Sequence, residues 1–203
     1  MYTLLAARNR GLQAEALEFA RDLIRTPSPS QHEHAVARLV ADRMGTLGFD
    51  RVLTDEFGNV VGILFGRQTQ PTVMLNAHMD TAEAGESAAW STSAHAGDVR
   101  DDVLYGLGAS DCKAGLAAQI YAACLLKRSL LPLRGNLIVA ATVSEEQGGS
   151  LGLRHLMRDT LPSLGLQPDF VVLGEPTSLS IYYGHDGSAM FEVVIDGPDR
   201  FQV

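Results

Sequence analysis

The chain is 203 residues long, with 16 Lys plus Arg against 24 Asp plus Glu and a formal charge of −8. That acidic balance argues against nucleic acid as the main partner, since phosphate binding needs clustered cations, and no apolar run is long enough for a membrane-spanning helix. A 46% hydrophobic and 20% charged composition is that of a globular chain able to bury a core without disulfides. Two cysteines, Cys112 and Cys124, and the lack of a secretory-type leader over residues 1–10 point to a reducing, cytoplasmic setting.

In chain order, Leu12, Ala16, Phe19 and Leu23 recur at helical spacing and predict a helix over residues 12–25. Pro27 and Pro29 stop it. Ser30 followed by Glu33 has the spacing of a capping box, opening a helix that carries Val36, Leu39, Val40, Met44 and Leu47 and ends near Gly48. Residues 60–65 and 72–77 read as strands, 113–127 as a helix, 136–142 as a buried strand and 150–158 as a short helix. Residues 170–173 and 190–195 read as further strands. Strands alternating with helices predict an α/β layered domain, with a central mixed, largely parallel sheet flanked by helices.

The chemistry concentrates where predicted strands end, which is where α/β sheets place their sites. Residues 72–77 run into His78-Met79-Asp80, and residues two apart in extended chain share a side. That spacing suits a metal-ligating imidazole oriented by a carboxylate. Residues 106–115, GLGASDCKAG, form a Gly-rich turn before a helix. They match neither phosphate-loop pattern, and Asp111 stands where a phosphate would sit. Residues 136–142 lead to Glu145 and Glu146, and residues 170–173 to Glu175. Two adjacent carboxylates after an apolar strand are costly without a compensating cation or hydrogen bonds. Any one of these acids alone reads as a cap or a solvated loop residue. Together they predict an oxygen-rich divalent metal site completed by an imidazole, suited to Zn²⁺, Co²⁺ or Mn²⁺.

His78-Met79-Asp80, the turn bearing Asp111, Glu145-Glu146 and Gly174-Glu175-Pro176-Thr177 resemble the M20 family of metallopeptidases and deacylases in motif order and strand-end placement. The resemblance spans roughly residues 12–195. It implies one or two metal ions, with His78 and Glu175 on the first, Asp111 bridging and Glu146 on the second. Asp80 would orient His78, and Glu145 would be the general base toward the attacking water. The implied reaction is hydrolysis of the amide bond of an N-acyl amino acid or small peptide. A metal-binding domain without turnover is the competing reading.

Three features depart from the family pattern. The family takes a further metal-binding His from far downstream, and no His follows His185 here. The family's lid, which carries its homodimer contacts, often has a substrate-binding His after its first strand, whereas residues 198–203 hold none. Leu107 stands where the family commonly has Arg between the glycines. The expectation is therefore a catalytic domain over residues 1–185 and the start of a lid, or its remnant, over 186–203.

The remaining candidates read blandly. His32, His34 and His95 are expected at the surface, His155 in a structural role and His185 in a turn. Trp90 either walls the substrate pocket or merely packs. A Cys112 nucleophile is disfavoured, because acidic neighbours raise a thiol pKa. Lys113 is either an ordinary helix-start lysine or a partner for nearby carboxylates.

Overall fold

The computed structural model describes residues 2–184 together with 187, 191, 193 and 194. The strand expected at 190–195, His185 and the lid segment 186–203 lie outside the residues it describes as a continuous chain.

Helix α1 spans Tyr2–Arg25, ten residues longer at its N-terminus than the periodicity predicts. The reason is visible in burial: the buried stripe begins at Leu12 and continues through Phe19, Ala20, Leu23 and Ile24. The preceding turns are built of Leu, Ala and Arg, which favour helix without needing a buried face. Helix α2 is His34–Thr46 and buries Val36, Ala37, Val40 and Met44. The capping box is not formed. Glu33 at the helix start makes no side-chain cap, and both Ser30 and Glu33 turn their side chains to partners distant in sequence, described below.

Strands β1 (Arg51–Thr54), β2 (Val60–Leu64), β3 (Val73–His78), β6 (Leu137–Thr142) and β7 (Phe170–Leu173) form one sheet, with a separate hairpin of β4 (Asp98–Arg100) and β5 (Val103–Tyr105). The main sheet runs in the order β1-β2-β6-β3-β7. β6, β3 and β7 are parallel, while β1 and β2 join antiparallel at one edge. This is the mixed α/β sheet expected. β1 and the β4–β5 hairpin escaped the sequence reading because they are short and largely exposed, so no apolar alternation marks them.

Both faces of the sheet are covered over β2 and β6, whereas the edge strand β7 leaves Phe170, Val171, Val172 and Leu173 exposed. On β2, Val60 and Leu64 pack with the α1, α2 and α3 side, whereas Val61 and Ile63 face the other layer. On β6, Val139 and Ala141 likewise oppose Ile138 and Ala140. Helix α3 (Ala114–Arg128) covers β3 and β6 beside α1. Helix α4 (Leu151–His155), continuing through the wider-wound Leu156–Thr160, brings Leu156 and, just beyond, Leu161 onto the opposite face. Burial on both faces is why β2 and β6 read as near-continuous apolar runs.

Close packing fixes α3 against the end of β7. A Cβ on Gly115 would lie 2.2 Å from the carbonyl oxygen of Gly174, the residue before Glu175. Gly115→Ala should therefore destabilise the chain by about 1–3 kcal/mol through overpacking, seen as a lower urea midpoint with an unchanged denaturant slope.

Candidate metal centre

Because β3, β6 and β7 are parallel and in register, their C-terminal ends emerge side by side. His78 closes β3 opposite Thr142 of β6, and Asn76 pairs with Leu173 of β7. The next residues along each strand are therefore Asp80, Glu145 with Glu146, and Glu175. The Gly-rich turn brings in Asp111. Gly108 there has φ +73°, and a Cβ on it would lie 2.6 Å from Thr81 Cγ2, so the turn demands glycine.

One donor atom from each of His78, Asp111, Cys112 and Glu175 falls within 4.8 Å of the others. His78 and Cys112 are buried, while Asp111 and Glu175 are open to solvent. His78 Nε2 lies 3.0 Å from Asp111 Oδ1 and 4.0 Å from Glu145 Oε2. Three of the predicted ligands thus meet. Glu145 stands at their rim, and Glu146 lies outside the four-residue group. Burial pushes the Glu146 carboxyl up, and the Asp111 charge adds to this, which places it electrostatically beside the site. Burial likewise raises Glu175, with His78 opposing and Asp111 and Glu145 reinforcing the rise.

The orientation of His78 differs in detail from the expectation. Its Nδ1 lies 2.9 Å from the backbone oxygen of Asp80, and the Asp80 carboxylate is farther away at 3.5 Å. With Nδ1 donating to that carbonyl, Nε2 is the atom directed at Asp111 and the cluster. Burial by itself would depress the His78 pKa, yet Asp80, Cys112 and Asp111 outweigh it and push it up to about 12. A proton on His78 offsets part of the charge of the acids that surround it.

Asp80 is wholly buried and does more than orient an imidazole. Its carboxylate accepts Ser30 Oγ–H at 2.7 Å, Glu145 N–H at 2.9 Å and Glu146 N–H at 3.0 Å. Burial opposes its charge, but His78, Ser30 and the two amides together hold it down at about 2. Glu33 Oε1 accepts Ser144 N–H at 2.9 Å, pinning a residue whose φ of +54° is uncommon for a non-glycine. The Ser-x-x-Glu pattern thus marks supports for the Glu145 turn. Its mimicry of a capping box concealed that role.

Lys113 also departs from both readings of the sequence. It is fully buried, and Nζ donates to the carbonyls of Leu23 at 2.8 Å and Thr26 at 2.9 Å. Burial lowers its pKa to about 8, with Asp80 opposing. It clamps the end of α1 to the Asp111 turn. Burial raises the Cys112 thiol, His78 opposing, which agrees with its dismissal as a nucleophile. Trp90 donates its indole N–H to Ala84 O at 2.8 Å, and His155 stacks on Phe57.

A cleft of about 370 Å³ opens beside the cluster, lined by Asn76, His78, Thr142, Glu145, Leu153 and Glu175 among others. A larger one of about 750 Å³, between residues 65–72 and 164–167, lies at the opposite end of the strands. Imidazole nitrogen and carboxylate oxygen converging at this spacing are the donors a divalent cation takes, so the residues present fit a metal ion. No helix among the described residues is long and apolar enough to cross a membrane.

Comparison with known proteins agrees with this geometry. The chain is 31% identical over 196 residues to the uncharacterized protein YgeY of Escherichia coli K12, covering 97% of this chain and 47% of that protein. It is 32% identical over 193 residues to the succinyl-diaminopimelate desuccinylase of Gluconacetobacter diazotrophicus, covering 90% and 49%. The chain thus spans about half the length of the curated relatives it matches. Human carnosine dipeptidase 1 shares the fold, with a TM-score of 0.71 at 21% identity over 85% of this chain and 40% of that one. Residues 74–197, the stretch that carries Asp80, Asp111, Glu145, Glu146 and Glu175, match the model of peptidase family M20/M25/M40, and the chain belongs to that family.

Proposed function

We propose that this chain carries the catalytic centre of a metal-dependent hydrolase that cleaves the amide bond of an N-acyl amino acid or small peptide. The observation that supports it most directly is the convergence of His78, Asp111 and Glu175 donor atoms within 4.8 Å at the ends of adjacent strands. The desuccinylase and dipeptidase names of its relatives agree with that substrate class. His78, Glu175 and Asp111 would hold one cation, and Asp111 with Glu146 a second. Zn²⁺ suits these donors, and Co²⁺ or Mn²⁺ would also be accepted. When bound, the cation supplies polarisation of the scissile carbonyl and of the attacking water.

The chain's own residues do the rest. Glu145, half-exposed beside His78, takes a proton from the attacking water and delivers it to the leaving amine nitrogen. Asp80 holds the two amides that begin this turn, so it sets where the Glu145 carboxylate stands and remains ionised throughout. The neighbouring cleft, with Leu153 and Leu173 beside Asn76 and Thr142, offers a mixed apolar and polar wall to the substrate. Residues 186–203 are read as the beginning of a lid, and the whole protein as a soluble cytoplasmic enzyme, a homodimer through that lid.

Glu145→Gln should lower kcat by about 10²–10⁴-fold while the cation remains bound, measured with a panel of N-acyl amino acids and dipeptides under Zn²⁺ or Co²⁺. Chelator-insensitive turnover, or full activity without Glu145, would sink the mechanism. Cation binding must displace the His78 proton, whose folded pKa of about 12 lies above the ordinary 6.5. Affinity should therefore rise toward about tenfold per pH unit between pH 6.5 and 9 for one displaced proton, and calorimetry in two buffers should show proton release. In the metal-free chain the folded Asp80 pKa is depressed from 3.8 to about 2. Its contribution of about 2–3 kcal/mol is present above pH 3.8 and lost as pH falls through 2. Asp80→Asn should remove that part of the acid-unfolding profile.

A further inference from the structure

Residues 28–33 bind the two strand-end loops that carry the chemistry to each other. On the β3 side, Ser28 Oγ–H donates to Met79 O at 2.7 Å, and Thr81 N–H donates to Ser28 O at 2.9 Å. On the β6 side, Glu33 Oε1 accepts Ser144 N–H at 2.9 Å, and Gln31 Nε2–H donates to Gln147 Oε1 at 2.8 Å. Ser30 ties the two sides together through Asp80, whose carboxylate also takes the Glu145 and Glu146 amides. Glu33 is only 5% exposed, so its carboxylate keeps one place instead of sampling solvent. Beyond Asp80 and Glu33, little among the described residues holds the turn. Ser144, Gly148, Gly149 and Ser150 all have φ between +43° and +83°. A Cβ added at Gly148 would meet nothing within 4 Å, and one at Gly149 only Leu151 Cδ2 at 3.8 Å. The bonds from Gly148 N–H to Glu145 O and from Leu151 N–H to Ser144 O close the turn on itself. A left-handed serine persists only where its surroundings over-determine it, and the buried Glu33 carboxylate on its amide supplies that constraint.

We propose that Glu33 is a positioning residue for the hydrolysis. By holding the Ser144 amide it fixes the direction in which the next residue leaves the sheet, and so the reach of the Glu145 carboxylate toward the attacking water. This rests on the reading of Glu145 as general base and adds the residue that sets its place. Glu33 acts through the backbone and takes no proton. A small rotation about Ser144 would swing Glu145 away from His78, and misplacement of a catalytic group by about 1 Å is enough to cost about 10²-fold in rate.

The test is backbone amide exchange of the 203-residue chain in Zn²⁺ buffer, together with turnover of the N-acyl amino acid panel. Glu33→Ala should speed exchange at Glu145 and Glu146 by about 10–100-fold, while the amides of β6 keep their wild-type rates. In the same variant kcat should fall by a similar factor with KM changed by less than about twofold. Glu33→Gln, which keeps an oxygen for the Ser144 amide, should restore both. Equal acceleration across β6 and the turn marks a purely structural role and overturns the proposal. So does acceleration confined to Ser144, or an unchanged kcat with the turn opened. Should Glu33→Ala fail to fold, Glu33→Asp, whose shorter arm withdraws the same oxygen, is held to the same outcomes. A wild type without turnover removes the hydrolase reading, whereas the exchange pattern still decides whether Glu33 places the Glu145 turn.

Discussion

The site depends first on a single buried carboxylate. Asp80 has no exposure to solvent, and an unpaired charge in that position would be strongly destabilising. It is matched instead by a hydroxyl from the segment before α2, two amides from the turn after β6 and the imidazole at the end of β3. Three parts of the chain separated by fifty to sixty-six residues are thereby fixed to one another around one charge. Asp80 cannot be satisfied unless β3 and β6 lie in their observed register. The same turn displays Glu145 and Glu146.

The surrounding electrostatics follow from that arrangement. Asp111, Glu145, Glu146 and Glu175 stand at one end of the sheet, where burial and mutual repulsion raise Glu146 and Glu175. Protonated His78 offsets part of this repulsion. A group of like charges held apart from its counterion stores unfavourable energy that a divalent ion would release. The −8 balance of the sequence thus includes acids gathered at one end of the sheet.

The backbone gives this end its shape. Parallel β6, β3 and β7 deliver their terminal residues to one edge. The Gly115 contact with Gly174 and the Lys113 clamp on the last turn of α1 set the Asp111 turn against it. Among the described residues Lys113 has no carboxylate partner within ion-pair distance. Its ammonium is held by two carbonyls at a helix C-terminus, where the aligned backbone dipoles favour positive charge.

How much of this was legible in the sequence varies by residue. His78, Asp80, Glu145, Glu146 and Glu175 could be singled out because each follows an apolar run that reads as a strand, Asp111 because it sits in a Gly-rich turn before a helix, and all of them because their motifs resemble one family. The α/β layering was legible for the same reason, through hydrophobic period and length. β1 and the β4–β5 hairpin were not, since exposed short strands carry little periodic signal. Ser30 and Glu33 carried a local signal that pointed to the wrong partner, because capping boxes and long-range hydrogen bonds use the same side chains. The sequence by itself determined which residues have the chemistry and at which strand ends they lie. Only the tertiary structure decided that Cys112 joins the cluster, that Lys113 is buried and that Asp80 serves the Glu145 turn. Those facts depend on which distant backbone amides and carbonyls each side chain meets, and no local pattern encodes that.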